Sequence, residues 1–540
     1  MSLNKRVVRL IRELYWAMGV FELTIALLLV GAILTMCAEK FGIPYPALLA
    51  LAGAAFTFIP GTPTVVLDPQ LALALFVAPV LLDAAFDASP RDLKRNLFPV
   101  MSLAILAVGV TTVVVALVAR HFIPGLSWGA AIVLGAIVAP PDTSAATTIL
   151  RALRPPHRIV VILQGESLFN DASALLIYRV AVMSTMTGAV SGWTIAPLFL
   201  LTCGGGVIAG ILLARIYFWM TTRVHDFAVN VILQFIGTFA VWLIADRLGL
   251  SAILTVIAYA MTLARMAPTR ADGRRRLSSY AVWDVVVFVL NVLAFVMIGL
   301  QLRGIESRTP DDGWHMYLLC AVAVSVAVVL IRVVWVFFYA TVVRGILRHF
   351  NLVLPVANWR GFLVVGWCGM RGIVTLAAAL ALPDGSATTA FPYRDLIILC
   401  AFAVVLTTLV LQGMTLRPLL TWVGLKDDGQ VEREVQLARA ETSRAALKVL
   451  EKLPSRPAVD ELRRTYEARV RASEAQMKDR SYRQPQTDLA EIHRGVVAAQ
   501  RNTLVSLRER WIIGDDAFHA AEEEIDLLEL ATDERLRPED

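Results

Sequence analysis

The amino-acid sequence predicts an all-α polytopic membrane protein with about thirteen transmembrane helices, two of them interrupted, arranged as inverted repeats and followed by a helical cytosolic tail. Two observations predict this class. First, 57% of the 540 residues are hydrophobic and only 17% are charged, a balance that soluble chains of this length do not have. Second, the hydrophobic residues form long blocks, and a helix needs roughly 20 mostly apolar residues to cross a bilayer.

The apolar blocks and the loops between them give the predicted topology. Lys and Arg are concentrated in alternate loops, and the positive-inside rule places those loops in the cytoplasm. Thirteen crossings then leave the carboxyl terminus inside and the amino terminus outside. The predicted spans are 18–37, 43–60, 69–87, 97–119, 127–150, 159–185, 193–219, 227–245, 249–266, 280–302, 314–343, 359–383 and 394–422.

The two ends of the chain lie outside this transmembrane domain of residues 18–424. Residues 1–17 are basic and by charge favour the cytoplasm. They form an amphipathic helix at the interface, belong to a cleaved signal peptide, or show that the number of spans is off by one. Residues 425–540 are rich in Glu, Arg, Ala and Leu with helical spacing, which predicts a helical cytosolic tail. The tail is either a solvated appendage or a regulatory or dimer-forming element.

Charge and cysteine usage exclude several classes of function. The net charge of +6 lies in the loops and the tail, so it orients the chain in a membrane and does not form a groove for nucleic acid. The five cysteines lie inside or at the edge of apolar blocks without the spacing of metal ligands, which predicts buried, small apolar side chains. We expect no cofactor and no enzymatic activity.

Two predicted helices are interrupted near their middle. The fifth span contains Pro140 and Pro141 followed by Asp142, and two prolines remove two backbone donors and clash with the preceding turn. The twelfth contains "GWCGMRGIV", in which glycines surround Arg371 and impose little restraint on the backbone. Paired breaks in corresponding halves of a chain indicate a transporter binding site, because the ends of half-helices carry partial charges that suit ions.

The sixth span contains a polar face in "QGESLFNDAS". Glu166 and Asn170 are four residues apart, as are Ser167 and Asp171, so all four side chains lie on one side of a helix. An ionisable group at mid-membrane costs at least ~2.5–3.5 kcal/mol and is a functional candidate unless it belongs to a structural ion pair. We expect Glu166 to pair with Arg371, which leaves Asp171 free to bind a cation or a proton.

Other polar residues lie within the apolar blocks. Asp142 is at the break of the fifth span. Asp83 is late in the third span, where it either belongs to the site or lies near the cytoplasmic interface. Asp284 with Asn291, and Arg332 in the eleventh span, are interpreted as structural or as snorkelling to the interface.

Several motifs resemble those of one transporter family. "GESLFNDASALLIYR" resembles the GESLxNDA signature of the cation:proton antiporter-1 family, which includes bacterial Na⁺/H⁺ antiporters and animal Na⁺/H⁺ exchangers. "APPDTSAATTIL" is similar to its break in the fifth helix, and "GWCGMRGIVTLAAALALP" is similar to its G-x-R-G segment in the twelfth. "PVLLDAAFDASPRDLKRN" and "FPYRDLIILCAFAVVLTTLVLQGMTL" resemble its third and last helices. The resemblance covers residues 22–425 and is closest to the bacterial, NhaP-type branch.

The resemblance implies a role for each residue that matches a motif. Asp171 is the exchanging carboxylate, next to Asn170. Ser167 and Asp142 assist in binding the cation, and Glu166 pairs with Arg371. Pro141 stands where the family usually has Thr, so that position offers a backbone carbonyl and no hydroxyl. Asp83 stands where the family often has Glu, on a helix that faces the ion.

The implied mechanism is competition of two cations for one carboxylate. Asp171 holds Na⁺ or a proton but not both, which predicts electroneutral 1:1 exchange with Na⁺ as the bound ion and with Li⁺ or K⁺ as further candidates. The family further implies a core of helices at 97–185 and 314–422 that slides against scaffold helices at 18–87 and 193–266 in a homodimer. Such an antiporter resides in the cell membrane and serves pH homeostasis.

Three other interpretations differ in function. A cation channel would pass current without a proton gradient, and a K⁺-selective antiporter would exchange the larger ion. An intramembrane aspartyl protease would use Asp83 and Asp171 as a dyad, but the catalytic context is missing and Asn170 adjoins the second acid.

Gly206-x-x-x-Gly210 is a close-packing motif that serves either packing within the chain or a dimer contact.

Overall fold

The structure is a computed structural model in which every regular element of the described residues is a helix. Within this part of the chain it contains no strand, as the sequence predicts. The basic segment 1–17 lies outside the described residues, which are 22, 24–38, 40, 44–57, 69–142, 146, 150, 153, 155–187, 192–224, 226–266, 273–300, 314–343, 345, 359–383, 390–425, 427–478, 486–510, 512, 521–522 and 525.

The first of two compact units spans Met1–Asp428. Its helices up to the sixth predicted span are α1 (Thr24–Ala38), α2 (Tyr45–Thr57), α3 (69–87), the short α4 (Pro90–Arg95), α5 (Leu97–Phe122), α6 (Trp128–Val138) and α7 (His157–Thr187). Its later helices are α8 (Gly192–Thr221), α9 (Phe227–Arg247), α10 (Ala252–Met266), α11 (Gly273–Leu300), α12 (Trp314–Phe338), α13 (Trp359–Trp367), α14 (Ile373–Leu380) and α15 (Arg394–Val423).

Among the described helices, seven are long and apolar enough to cross a membrane. They are 97–122, 157–187, 201–221, 228–247, 279–297, 315–342 and 394–423. Shorter apolar helices lie at 24–38, 45–55, 128–138 and 252–266. Each predicted span therefore contains helix, although several helices are shorter than the sequence suggests. The number of crossings and the inverted repeats stay predictions.

The buried apolar side chains form two large clusters. The first is built mainly from α2, α5, α6 and α12–α15. The second is built mainly from α3, α9 and α10. Helix α7 contributes Leu163 to the first cluster and Leu168 and Ala172 to the second. The polar face that the sequence places on α7 thus lies where the two groups of helices meet.

The start of α7 is anchored to α4. Asp92 on α4 lies 3.5 Å from Nε2 of His157, and Nε of Arg158 donates to Oδ1 of Asn96 at 2.9 Å. Partial burial alone would raise the pKa of Asp92, but hydrogen bonds from Arg91, Ser89 and His157 outweigh it and hold the pKa below its usual value. These contacts fix the first turn of the helix that carries the polar face.

The glycine pair of α8 packs against α10 within the same chain. A Cβ at Gly210 would stand 2.3 Å from the carbonyl oxygen of Thr255, and one at Gly206 would stand 3.1 Å from that of Ser251. Only glycine allows the two backbones to approach this closely. Of the two interpretations of the motif, the structure supports packing within the chain.

The second compact unit spans Gly429–Asp540. It contains α16 (Gln430–Leu450), α17 (Pro457–Lys478) and α18 (Gln486–Glu509). Helix α16 ends at Leu450, four residues before Pro454, and Pro457 is the first residue of α17, a position that proline favours. Helical structure in this region agrees with the sequence, whereas its location in the cytosol stays a prediction.

Candidate cation-binding site

The candidate site begins where the two interrupted helices meet. The hydroxyl of Ser127 caps the start of α6, and the helix ends at Val138, just before Pro140 and Pro141. Residues 368–372 are likewise non-helical and separate α13 from α14. The backbone N–H of Asp142 donates to the carbonyl of Met370 at 2.6 Å, so the two breaks are in direct contact. Both predicted interruptions are confirmed within the described residues.

Glycine at position 372 makes room for an acid from the other break. A Cβ there would stand 1.8 Å from Oδ2, 2.6 Å from Cγ and 2.8 Å from Cβ of Asp142. Because the whole side chain is in the way, rotation of the carboxylate alone would not relieve the clash. The glycine of the twelfth span therefore serves close approach, in addition to the flexibility that the sequence suggests.

The substitution Gly372→Ala is expected to lower the rate of cation-driven proton movement at least tenfold, because it displaces Asp142, and to cost about 1–3 kcal/mol of stability through overpacking. The measurement is proton flux in proteoliposomes, with the melting temperature in detergent. Gly109→Ala on α5 is the matched control, since nothing lies within 4 Å of a Cβ there. Equal fluxes for both variants would contradict this role of Gly372.

Arg371 satisfies carbonyl groups at the end of a half-helix. Its Nε donates to the carbonyl of Val138 at 3.1 Å and its Nη2 donates to that of Ala139 at 3.2 Å, while Nη1 donates to Gly369. The prolines leave the last carbonyls of α6 without intrahelical donors. A guanidinium at this end also complements the negative pole of the helix dipole.

Glu166 forms its ion pair with Arg332. The Nη1 and Nη2 atoms of Arg332 on α12 donate to Oε1 and Oε2 of Glu166 at 2.5 and 2.8 Å. Both side chains are buried, with exposures of 3% and 0%. The predicted pairing of Glu166 with Arg371 is wrong, because Arg332 reaches both carboxylate oxygens while the guanidinium of Arg371 donates to backbone carbonyls. The structural role expected for Arg332 is that of this ion pair.

Asn170 joins α7 to the break after α6. Its Nδ2 donates to the carbonyl of Pro141 at 2.7 Å, while coordination of a cation by that carbonyl stays a prediction. Its side chain is fully buried, and Oδ1 has no hydrogen-bond partner. A buried oxygen without a donor is unfavourable in an apolar environment. It becomes favourable when a cation or a water molecule lies against it.

Asp171 differs from Glu166 in its surroundings. Within the part of the chain that the structure describes, no basic side chain forms an ion pair with Asp171. The charged group that acts on it is the carboxylate of Asp142. Ser167 is half-buried one turn earlier on the same side of α7. Asp171, Asn170 and Asp142 thus meet beside the break, as the sequence predicts, while the predicted cation-binding roles of these residues stay predictions.

Asp83 lies on the group of helices that faces α7. It is half-buried on α3, and its neighbours Leu82 and Ala85 belong to the same apolar cluster as Leu168 and Ala172 of α7. Asp83 therefore lies on a helix that packs against the turn of α7 carrying Asp171. Direct contact of Asp83 with an ion stays a prediction.

Thr408 supports the site and is not among the residues predicted from the sequence. Oγ1 of Thr408 accepts a hydrogen bond from the backbone N–H of Arg371 at 3.0 Å. Thr408 is fully buried and begins a π-helical turn, Thr408–Gln412, inside α15. The signal in the sequence is a pair of threonines followed by Gln in the apolar run "VVLTTLVLQ". A polar group within such a run requires a partner across the helix interface.

Comparison with known proteins decides the family. A family model described as "Sodium/hydrogen exchanger, transmembrane" matches residues 25–422. The chain belongs to the sodium/hydrogen exchanger family. The resemblance noted in the sequence is thereby confirmed, and the chain is a multi-pass membrane protein and a monovalent cation/proton antiporter. The family is one of transporters.

Relatives extend over most of the chain. An uncharacterized Na⁺/H⁺ exchanger of Mycobacterium tuberculosis is 31% identical over 95% of this chain and 96% of its own length. The Na⁺/H⁺ antiporter ApNhaP of Aphanothece halophytica is 30% identical over 77% of each chain. A sodium, potassium, lithium and rubidium/H⁺ antiporter of Bacillus pumilus is 30% identical over 76% of this chain and 62% of its own.

The fold also matches that of a solved antiporter structure. The sodium proton antiporter MjNhaP1 of Methanocaldococcus jannaschii, solved at pH 8, superposes with a TM-score of 0.58 and 21% sequence identity. The match covers 76% of this chain and all of the other. At this level of identity the comparison shows a shared fold.

Proposed function

We propose that the exchanger uses Asp171 as the carboxylate for which a monovalent cation and a proton compete. The observation that carries this proposal is the contrast between two acids on one helix. Glu166 is neutralised by Arg332, whereas Asp171 lies beside the broken helices with no basic partner among the described residues. A carboxylate without a permanent counter-ion is able to exchange one cation for another.

The oxygen atoms around Asp171 suit a hard monovalent cation. The unpartnered Oδ1 of Asn170, the hydroxyl of Ser167 and the carboxylate of Asp142 are candidate ligands beside it. The carbonyl of Pro141 accepts from Asn170, and its second lone pair is available to an ion. Asp83 on the facing helix is a further candidate.

We propose that the stoichiometry is electroneutral, one cation for one proton. In this scheme Asp142 keeps the same protonation state throughout the cycle, and Asp171 alone changes its occupant. If both acids changed occupants, two protons could move for each cation and the cycle would transfer charge. The stoichiometry therefore reports how many carboxylates take part.

An Na⁺ gradient across proteoliposomes is expected to drive proton movement, and the rate is expected to be independent of membrane voltage. The measurement combines a pH-sensitive dye with thiocyanate, a permeant anion that dissipates voltage. Currents after an Na⁺ concentration jump give a second reading. A steady current proportional to turnover, or acceleration by thiocyanate, would contradict electroneutral exchange.

We propose Na⁺ as the main substrate, with Li⁺ and K⁺ as further ones, and the name of the Bacillus pumilus relative supports a broad range. The same proteoliposomes, driven in turn by each chloride salt, would give the order of preference. Proton movement with K⁺ alone would support the K⁺-selective alternative.

We also propose the arrangement in which this exchange takes place. Helical segments in every predicted span support thirteen crossings, and the two breaks, seven spans apart, support inverted repeats. The two apolar clusters support a division into core and scaffold helices for α3, α9 and α10 against α5, α6 and α12–α15, whereas α2 packs with the core cluster. We assign the protein to the cell membrane as a homodimer with its tail in the cytoplasm, where its exchange contributes to pH homeostasis.

A further inference from the structure

A cavity outside the broken helices leads toward Asp171. It has a volume of ≈ 550 Å³ and lies between α7 and the helices α8, α9 and α10. Ala172, which follows Asp171 in the chain, is part of its lining. Leu175 and Tyr178 also line it, and they lie about one and two turns beyond Asp171 on nearly the same side of α7. The inner end of the cavity is thus close to the candidate site.

An ion pair lies among the lining residues, farther along α7. Nη2 of Arg179 lies 3.3 Å from Oδ1 of Asp246 at the end of α9, and the two side chains are 52% and 46% exposed. Eight residues separate Asp171 from Arg179, a rise of about 12 Å along a helix. An ion pair this exposed is weak. A mobile cation could therefore take the place of Arg179 beside Asp246.

Leu175 connects the cavity with the boundary between the two groups of helices. It lines the cavity and packs against both apolar clusters. The cavity therefore reaches the place where the two groups of helices meet, about one turn of α7 beyond Asp171.

We propose that this cavity is the outer vestibule of the exchanger, that Asp246 attracts cations into it, and that Arg179 is a built-in competitor which limits that attraction. This inference rests on the proposed function. A carboxylate at the mouth of a cleft with low-dielectric walls raises the local concentration of cations. The loop after Asp246, residues 248–251, contains no Lys or Arg and is one of the alternate loops predicted to lie outside the cytoplasm, so we assign this mouth to the outer face.

The proposal predicts an effect on one face of the membrane only. Because a negative vestibule concentrates Na⁺ and protons alike, it changes apparent affinities at that face and leaves the overall equilibrium of exchange unchanged. The substitution Arg179→Gln removes the competitor. It is expected to lower the apparent KM for external Na⁺ about threefold to tenfold, with the KM for internal Na⁺ and the maximal rate unchanged.

The measurement uses right-side-out and everted membrane vesicles, which expose the two faces separately. Asp246→Asn is expected to raise the external KM, and Arg179→Lys is expected to stay close to wild type because it keeps the charge. Adding N-methylglucamine chloride, which screens exposed charges without being transported, should reduce the differences. Arg247→Gln is the matched control, since it removes the same charge from the next position, outside the cavity lining.

The outcomes separate this inference from the proposed function. An unchanged external KM in Arg179→Gln, an equal change at both faces, or an equal change in Arg247→Gln would overturn the vestibule assignment. If Arg179→Gln does not fold, as judged by size-exclusion chromatography, the comparison of Asp246→Asn with Arg179→Lys decides. A wild-type protein without any cation-driven proton movement would instead overturn the proposed function.

Discussion

The substitution Asp171→Asn is expected to reduce Na⁺-driven proton movement to the level of empty liposomes. The amide keeps the size of the side chain but has no ionised form, so it neither carries a proton through the cycle nor neutralises a bound cation. Every other oxygen of the candidate site remains in place. The measurement is dye-reported proton flux in proteoliposomes, driven by Na⁺ in one direction and by a pH gradient in the other.

The same variant is expected to fold at least as well as the wild type. Asp171 lies half-buried beside Asp142, which is an unfavourable place for a second negative charge. Removing that charge should leave the melting temperature in detergent unchanged or raise it, the usual relation between a functional charge and stability. A stable but inactive variant would separate a transport role of Asp171 from a structural one.

Asp284→Asn is the matched control for this experiment. Asp284 is also an acid within an apolar helix, α11, but its side chain is exposed and belongs to neither apolar cluster. We expect its flux to stay within about twofold of wild type, as for most exposed sites. Substantial Na⁺-driven flux in Asp171→Asn would remove Asp171 from the mechanism. Equal losses in both variants would point to a general effect of charge on folding.

The parts of the site that depend on local backbone chemistry could be predicted from the sequence. Two adjacent prolines end α6 through local backbone chemistry, whatever the helix packs against. Residues 368–372 interrupt the twelfth span, as its glycines suggest. The polar face of α7 also follows from residue spacing alone. The lengths of the helices were harder to predict from the sequence. Several helices are shorter than a bilayer-crossing helix, and α6 has only 11 residues.

The choice between possible ion-pair partners could not be predicted. Two arginines lie near α7, Arg332 on α12 and Arg371 in the break between α13 and α14, and either charge could match Glu166. Which of the two arginines pairs with Glu166 depends on how the helices cross and on the other acceptors within reach of each guanidinium. The carbonyls that Arg371 reaches lie at the end of α6, just before Pro140 and Pro141. A sequence shows these prolines but not which side chain reaches the carbonyls.

The contacts of Arg179 could not be predicted from the sequence either. The sequence places it eight residues beyond Asp171 on the same helix and does not show which side chain it contacts. The structure adds a neighbour from a distant part of the chain, Asp246, and a cavity that both Arg179 and Ala172 line. Long-range contacts of this kind depend on packing between helices, which residue spacing within one helix does not determine.

The ion pair of Glu166 with Arg332 is expected to dominate the stability of this region. Removal of one partner leaves a buried charge without compensation, which costs about 3–5 kcal/mol. We therefore expect Glu166→Gln and Arg332→Met each to lower the melting temperature strongly in detergent. The double variant should lose much less than the sum of the two, because neither residue is then left as an unpaired charge.

A second double-mutant cycle, Glu166→Gln with Arg371→Met, tests which arginine pairs with Glu166. Arg371 donates to Val138 and Ala139, so its loss leaves backbone carbonyls unpaired whether or not Glu166 is present. We expect the loss of stability in the double variant Glu166→Gln/Arg371→Met to be close to the sum of the two single losses. The difference from that sum, which is the coupling energy, should be smaller than for Glu166→Gln with Arg332→Met. A larger coupling of Glu166 to Arg371 would favour the pairing predicted from the sequence over the bidentate contact at 2.5 and 2.8 Å. Since Glu166 and Asp171 share one helix, that result would also reopen which of the two acids is free to exchange its cation.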